Sequence, residues 1–424
     1  MPRFYPFRGW RYNPEQVTDI SQVIAPPYDV ISPEEQEQLY VQSPYNFVRL
    51  ILNQALGEQR YQEAARILRE WSDQQVVVRE PEGVFYLVDQ SYLLNGEQVT
   101  RTGVVGALEL EELGDSILPH EQTIEKHIQD RFRLMEESHT NLGQIFMSYR
   151  DQSLTIEALA GDVRSAPPVL DIQIPEHARY RLWKIADANA IRKIQEMLES
   201  TSAIIADGHH RYKTALRFFR EYPDIPGSHR VMATLVNAYN PGMMVLPTHR
   251  LVRESSVDID TLVRSLQDTF SVEEMSSPQV LLERMEIDRN PSAIHLGMYH
   301  KSSQNAYLLT FQNQALLEDM FPDTPRAYQR LDVNILHHFI LKQLFHIDTD
   351  DQASLERLNY VRGCDSIREI LKQQLPYDVA FFVNPPDPDS IFEIAESGLI
   401  LPQKTTYFYP KIYSGLVFRR FGEE

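Results

Sequence analysis

The sequence predicts an α+β fold, a compact core flanked by mixed α/β domains. Three observations lead there. Stretches with period-2 and period-3.6 apolar spacing both occur, but few strand–helix units repeat regularly. The chain has 424 residues, 42% hydrophobic and 24% charged, enough for two or three domains with a substantial core. The apolar run Ser202–Ala206 ends in Asp207-Gly208 and passes straight into helical spacing, with Ala215, Leu216 and Phe219 on one side. That succession is strand, tight turn, helix.

The elements follow in order. Residues 1–100 form a mixed α/β region, irregular around 25–45, where Pro and Tyr are dense. Tyr61 to Trp71 has helical spacing through Ala64, Ala65, Ile67 and Leu68. Val76–Val78 and Val84–Val88 read as strands, and Asn95-Gly96 as a hairpin turn. Residues 101–250 form the core. It has a strand at Val104–Leu110, helices at Thr123–Ser138 and Asp187–Glu199, and the strand before Asp207. Strands at Val231–Val236 and Met243–Leu246 flank the Asn240-Pro241-Gly242 turn. Residues 251–424 alternate helices at 258–270, 277–287, 330–345 and 365–374 with strands near 293–299, 306–311 and 379–383.

The chemistry concentrates after the 202–206 strand. Gly208 lets the backbone turn sharply and approach a ligand closely. His209, His210 and Arg211 then occupy a first helical turn, where backbone N–H groups lack intrahelical partners and the dipole favours an anion. Arg211 suits a bidentate phosphate contact, and the two histidines are candidate donors that add charge if protonated. Asp207 at the strand end reads either as a Mg²⁺ ligand or as an N-cap. Asp and His also make a metal site a third option, though adjacent histidines face different sides of a helix, which argues against one ion bound by both.

Composition narrows the partners. The formal charge is −19, whereas a general nucleic-acid binder is usually basic. One cysteine, Cys364, excludes a disulfide framework and a Cys-rich zinc cluster. The Met1–Arg8 segment has no apolar h-region, and no apolar run approaches the roughly 20 residues that span a bilayer. The expectation is a cytoplasmic protein acting on a small molecule, with no nucleic-acid or membrane partner; oligomeric state is not legible.

Ala206–Tyr212 (ADGHHRY) resembles the phosphate-binding turn of the ParB/sulfiredoxin-like superfamily, and most closely a bacterial and archaeal family labelled as a domain of unknown function. That family looks related to free L-serine kinases. The likeness extends over Ala25–Ser32 (APPYDVIS), Asn46–Leu50 (NFVRL), Arg101–Leu108 (RTGVVGAL), Leu118–Thr123 (LPHEQT), Leu246–Arg250 (LPTHR) and Leu401–Lys411 (LPQKTTYFYPK). Sulfiredoxins carry a cysteine inside the turn; here His209 and His210 stand there, which argues against sulfinic-acid reduction.

The resemblance implies a ParB-like core and a small-molecule kinase making O-phosphoserine from pyrophosphate, ADP or ATP with Mg²⁺. It makes Glu121 the candidate general base, with Asp207 and His209 as catalytic partners. Gly208, His209, His210, Arg211 and Lys404 become the phosphate contacts, and Arg250, Tyr28 and Arg49 the substrate contacts; Asp29, His249 and Lys411 are further candidates. A nucleotide-binding switch and a phosphohydrolase remain alternatives. No Walker-type Gly-x-x-x-x-Gly-Lys loop identifies the donor.

Overall fold

The computed structural model describes residues 2–94, 96–174, 178–253, 258–287, 293–349, 351–363 and 376–422. The expected helix at 365–374 and Cys364 lie outside these residues. The architecture is α+β. The chain divides into two compact units, Met1–Met244 with Pro410–Glu424, and Val245–Tyr409. The expected boundary at residue 100 falls inside a β-hairpin, whose two strands share one hydrogen-bond ladder and so belong to one unit. The boundary expected at 250 lies at 244, and the C-terminal segment rejoins the first unit.

The first unit is built on a nine-stranded sheet. Its strands are β1 (Phe4–Tyr5), β2 (Phe85–Leu94), β3 (Glu97–Glu109), β4 (Ile117–Leu118), β5 (Ile145–Tyr149), β6 (Leu170–Gln173), β7 (Ala178–Ile185), β8 (Ala203–Asp207) and β9 (Arg230–Asn237). The order is β4-β8-β5-β9-β3-β2-β7-β6, with β1 paired to β3. β8 runs parallel to β4 and β9 parallel to β5; the other pairs are antiparallel. The β2–β3 register sets Leu94 opposite Glu97; Asn95 of the expected Asn-Gly turn lies outside the described residues.

Helices α1 (Pro33–Gln42), α2 (Val48–Ile51), α3 (Gln59–Asp73), α4 (Glu125–Ser138), α5 (Thr155–Val163), α6 (Ala188–Leu198) and α7 (His209–Glu221) complete this unit. Phe85, Leu87, Val104, Met147, Ile205 and Leu235 alternate along the strands and form one core with Phe132, Ile156, Ile194, Tyr212 and Phe218 of the helices. The 25–45 stretch is not irregular throughout. Ser32 Oγ accepts the Glu35 N–H and Pro33 occupies the first turn, so α1 starts on a capping signal that the proline density obscured.

The second unit has a six-stranded antiparallel sheet, ordered 270–275, 305–311, 295–300, 379–382, 248–252, 358–362. Cores pack on both of its faces, around Leu309 and Phe381 on one and Leu308 and Phe382 on the other. Helices Ile259–Leu266 and Pro278–Ile287 lie within the expected ranges. The 330–345 helix runs Asp332–Ile335 and then widens into a π-helical stretch, Leu336–Lys342. Among the described residues no helix is long and apolar enough to cross a membrane.

Candidate functional site

The buried run Ala203–Ala206 places β8 inside the sheet. Its register against β5 shifts between Ile205 and Asp207, a local bulge that re-aims the strand end. Gly208 follows with φ 101° and ψ 28°, a conformation unfavourable to any residue with a Cβ. Tyr212 N–H donates to Gly208 C=O at 2.9 Å, closing the first turn of α7. The expected strand, turn and helix are all present.

Charge at this turn is arranged differently from the sequence reading. Asp207 does not cap α7 through its side chain. Its Oδ2 pairs with Arg211 Nη2 and its Oδ1 with Lys411 Nζ, at side-chain exposures of 12% for Asp207, 14% for Arg211 and 15% for Lys411. These three groups together carry one net positive charge. Burial opposes the ionised carboxyl, but Lys411 and Arg211 more than offset it and hold Asp207 well below the usual carboxylate range. Arg211 Nη1 also donates to Gln144 C=O at 2.5 Å.

Lys411 is fixed by a row of buried polar groups across adjacent strands. Arg101 of β3 lies opposite Gln90 of β2, which lies opposite Tyr180 of β7. Arg101 Nη2 donates to Gln90 Oε1 and, at 2.6 Å, to Pro410 C=O. Gln90 Nε2 and Tyr180 OH each donate to Lys411 C=O at 3.1 Å. Burial pulls Arg101 down to about 10, still charged at neutral pH.

The histidines turn to the segment between β4 and α4. His120 N–H donates to His209 Nε2 at 3.2 Å, and Ile124 N–H donates to His210 Nε2 at 2.9 Å. Lys213 Nζ donates to Thr123 Oγ1 at 2.9 Å. An imidazole that accepts at Nε2 is neutral and carries its proton on Nδ1. Burial, with neighbouring His120, pushes His209 well below its ordinary pKa; burial, with His127, lowers His210. The expected contribution of histidine charge to phosphate binding is therefore corrected. The cations at the turn are Arg211 and Lys411. Glu121 lies in the anchored segment, about half exposed, with Oε2 3.9 Å from His209 Nδ1.

The other expected residues divide. Tyr28 lines one cavity of about 50 Å³ with Arg211, Gly143 and Ser414, and Arg131 stacks over its ring at 4.0 Å. The Arg49 guanidinium donates to Tyr40 C=O at 2.7 Å and to Ser43 C=O at 3.3 Å, and stacks on the Tyr40 ring. Arg250, fully buried, belongs to the second unit, where its guanidinium donates to Thr248 C=O and Gln403 C=O. His249 of the same strand accepts the Val383 N–H at Nδ1, and burial pulls its pKa down to about 3. Lys404, with φ 59°, also lies in the second unit.

The Mg²⁺ expectation fails at Asp207. Both of its oxygens face cations, which would repel a divalent ion. Among the described residues no group of three or more His, Cys, Asp or Glu converges as a metal set. The residues do not fit a resident magnesium ion. Sequence reasoning also passed over Arg101, Gln90 and Tyr180. Arg101 carried a usable signal, a charge at the head of an apolar strand.

The chain belongs to the family described as protein of unknown function, DUF1015, whose model matches residues 4–334. No curated protein matches it in sequence. Among solved structures it is similar to a free serine kinase in complex with AMP, at 13% identity over 73% of this chain and 94% of that one, TM-score 0.33. A conserved hypothetical protein from Pyrococcus furiosus matches at 14% identity over 74% of this chain and 95% of that one, TM-score 0.32. SbnI with a C-terminal truncation, from Staphylococcus aureus, matches at 10% identity over 73% and 85%, TM-score 0.34. Likeness at these TM-scores says nothing about activity.

Proposed function

We propose that this protein is a small-molecule phosphotransferase, moving a phosphoryl group from pyrophosphate, ADP or ATP to the hydroxyl of free L-serine. The observation that carries the reading is one juxtaposition. Glu121 is held 3.9 Å from His209 at the start of α7, the same helical turn where Arg211 and Lys411 outnumber Asp207.

In this reading the β8–α7 turn is a ParB-like phosphate cradle. The first-turn N–H groups and Arg211 bind the donor's terminal phosphates, and Lys411 adds charge. The serine oxygen attacks the terminal phosphorus while Glu121 accepts its proton. The bond from that phosphorus to its bridging oxygen breaks. Phosphate, AMP or ADP leaves, according to the donor. The anionic charge that develops is met by Arg211 and Lys411, and no residue is assigned to a metal.

The test is direct. Purified protein is incubated with L-serine and each of the three donors, and products are followed by ³¹P NMR. O-phosphoserine with one donor supports the reading. Release of inorganic phosphate with no phosphoserine makes the protein a hydrolase. Donor binding by calorimetry with no turnover makes it a binding module.

A further inference from the structure

Adjacent residues on an α-helix project about 100° apart, so His209 and His210 cannot grip the same point. They take opposite ends of one short segment instead, the His120 and Ile124 N–H groups. Lys213, one turn further along α7, holds Thr123 between them. Upstream the segment leaves β4, which pairs with β8; downstream it enters α4. His120 and His209 rings meet edge to face at 4.7 Å, and His127 and His210 rings at 5.1 Å.

We infer that the histidine pair is a neutral clasp that positions the 120–124 segment, and with it Glu121, over the start of α7. The inference rests on the proposed role of Glu121 for its catalytic meaning, but not for its geometry. Both imidazoles accept a backbone N–H, so neither offers Nε2–H to a phosphate. Each is in the Nδ1–H tautomer, and the His209 Nδ1 proton faces the Glu121 carboxylate. The pair are positioning residues. They fix where the carboxylate stands without touching donor or acceptor.

The clasp also couples the segment to pH. An imidazolium has no acceptor lone pair, so protonation releases the N–H it held. His210 is the accessible member; it is faced by His127 from α4, by Asp29, and by Arg211 and Lys213 of its own helix. His209 is faced by His120 and Glu121 of the segment, by Asp207 and His210, and by Lys411. His210 therefore releases its end first as pH falls, below the range in which an ordinary histidine titrates.

Two measurements on the full chain need no activity. In ¹⁵N-histidine NMR, both imidazoles should show the Nδ1–H tautomer and stay neutral at pH 7. In amide hydrogen exchange, His120 and Ile124 should be protected. His210→Ala should speed exchange at Ile124 about ten-fold, the scale of one hydrogen bond, and leave His120 less affected. His210→Gln places an oxygen acceptor near the lost Nε2 and should restore protection. Where phosphoserine is formed, His210→Ala should lower kcat with little change in donor KM, and His210→Gln should recover part of the loss. Nε2–H tautomers, or an Ile124 amide that exchanges as fast in the wild type as in His210→Ala, overturn the clasp even if the protein is a kinase. A donor KM that rises with kcat intact also overturns it, because that marks a phosphate contact. Protection and tautomers as expected with no phosphoserine would leave the clasp standing and remove the kinase.

Discussion

Replacing Asp207 by Asn tests the charge arrangement at its centre. The substitution keeps size and removes a carboxylate shared by Arg211 and Lys411. A charge pair at 4 Å with an effective dielectric near 20 gains about 4 kcal/mol, so two pairs gain about 8 kcal/mol before desolvation. Much of that gain offsets the burial of three charges. What the variant exposes is the penalty of two poorly exposed cations without their counterion, about 3–5 kcal/mol. In a unit of this size that is a fall of about 6 to 20 °C in Tm.

The assay is intrinsic fluorescence, because all three tryptophans, Trp10, Trp71 and Trp183, lie in the first unit. The pH dependence has a definite sign. Asp207's folded pKa is depressed, so its contribution is complete above about pH 4 and is lost as pH falls through the lower folded value. The wild-type advantage over Asp207→Asn should therefore be full at pH 7 and shrink below about pH 4. Phosphate or pyrophosphate should restore part of the lost stability, about 2.7 kcal/mol at a hundred times Kd, since an anion then takes the carboxylate's place. A variant within about 1 kcal/mol of wild type at pH 7, or one indifferent to phosphate, would refute the cationic cradle.

Three further outcomes are expected. Glu121→Gln should lower kcat by about 10² to 10⁴ with donor affinity nearly intact, measured by phosphoserine formation and calorimetry; wild-type kcat would remove Glu121 as the base. Arg211→Ala should weaken donor binding by about 2–4 kcal/mol, read by titration calorimetry in protein that still folds, and unchanged affinity would dismiss it as the phosphate contact. Gly208→Ala places a Cβ at φ 101° and 3.0 Å from Arg211 Nε, so it should destabilise the unit by about 1–2 kcal/mol in denaturant titrations and also weaken donor binding; an unaffected midpoint would contradict the left-handed turn.

The sequence by itself determined the α+β class and the turn. An apolar run, a glycine and a helical period are local features, read within a dozen residues, and Asp207–Arg211 fell where they pointed. The strands at Val84–Val88 and Val104–Leu110 were legible for the same reason, although the ladder that joins them runs across the boundary expected at residue 100. Local signals also misled: proline density hid α1, whose cap at Ser32 was equally local.

Tertiary structure decided which partners each candidate residue has. His209 and His210 read as phosphate donors until the 120–124 N–H groups, almost ninety positions away in sequence, occupied their acceptor nitrogens. Asp207 read as a metal ligand until Lys411, brought back by the C-terminal segment, took its second oxygen. Lys404 and Lys411 lie seven residues apart in one motif, yet the unit boundary passes between them. Arg49 and Arg250 have the chemistry of ligand contacts but donate to carbonyls of their own units. The reason is common to all of them. Protonation state and hydrogen-bond role depend on which groups share a few ångströms of buried space, and long-range chain return fixes that, not spacing along the chain.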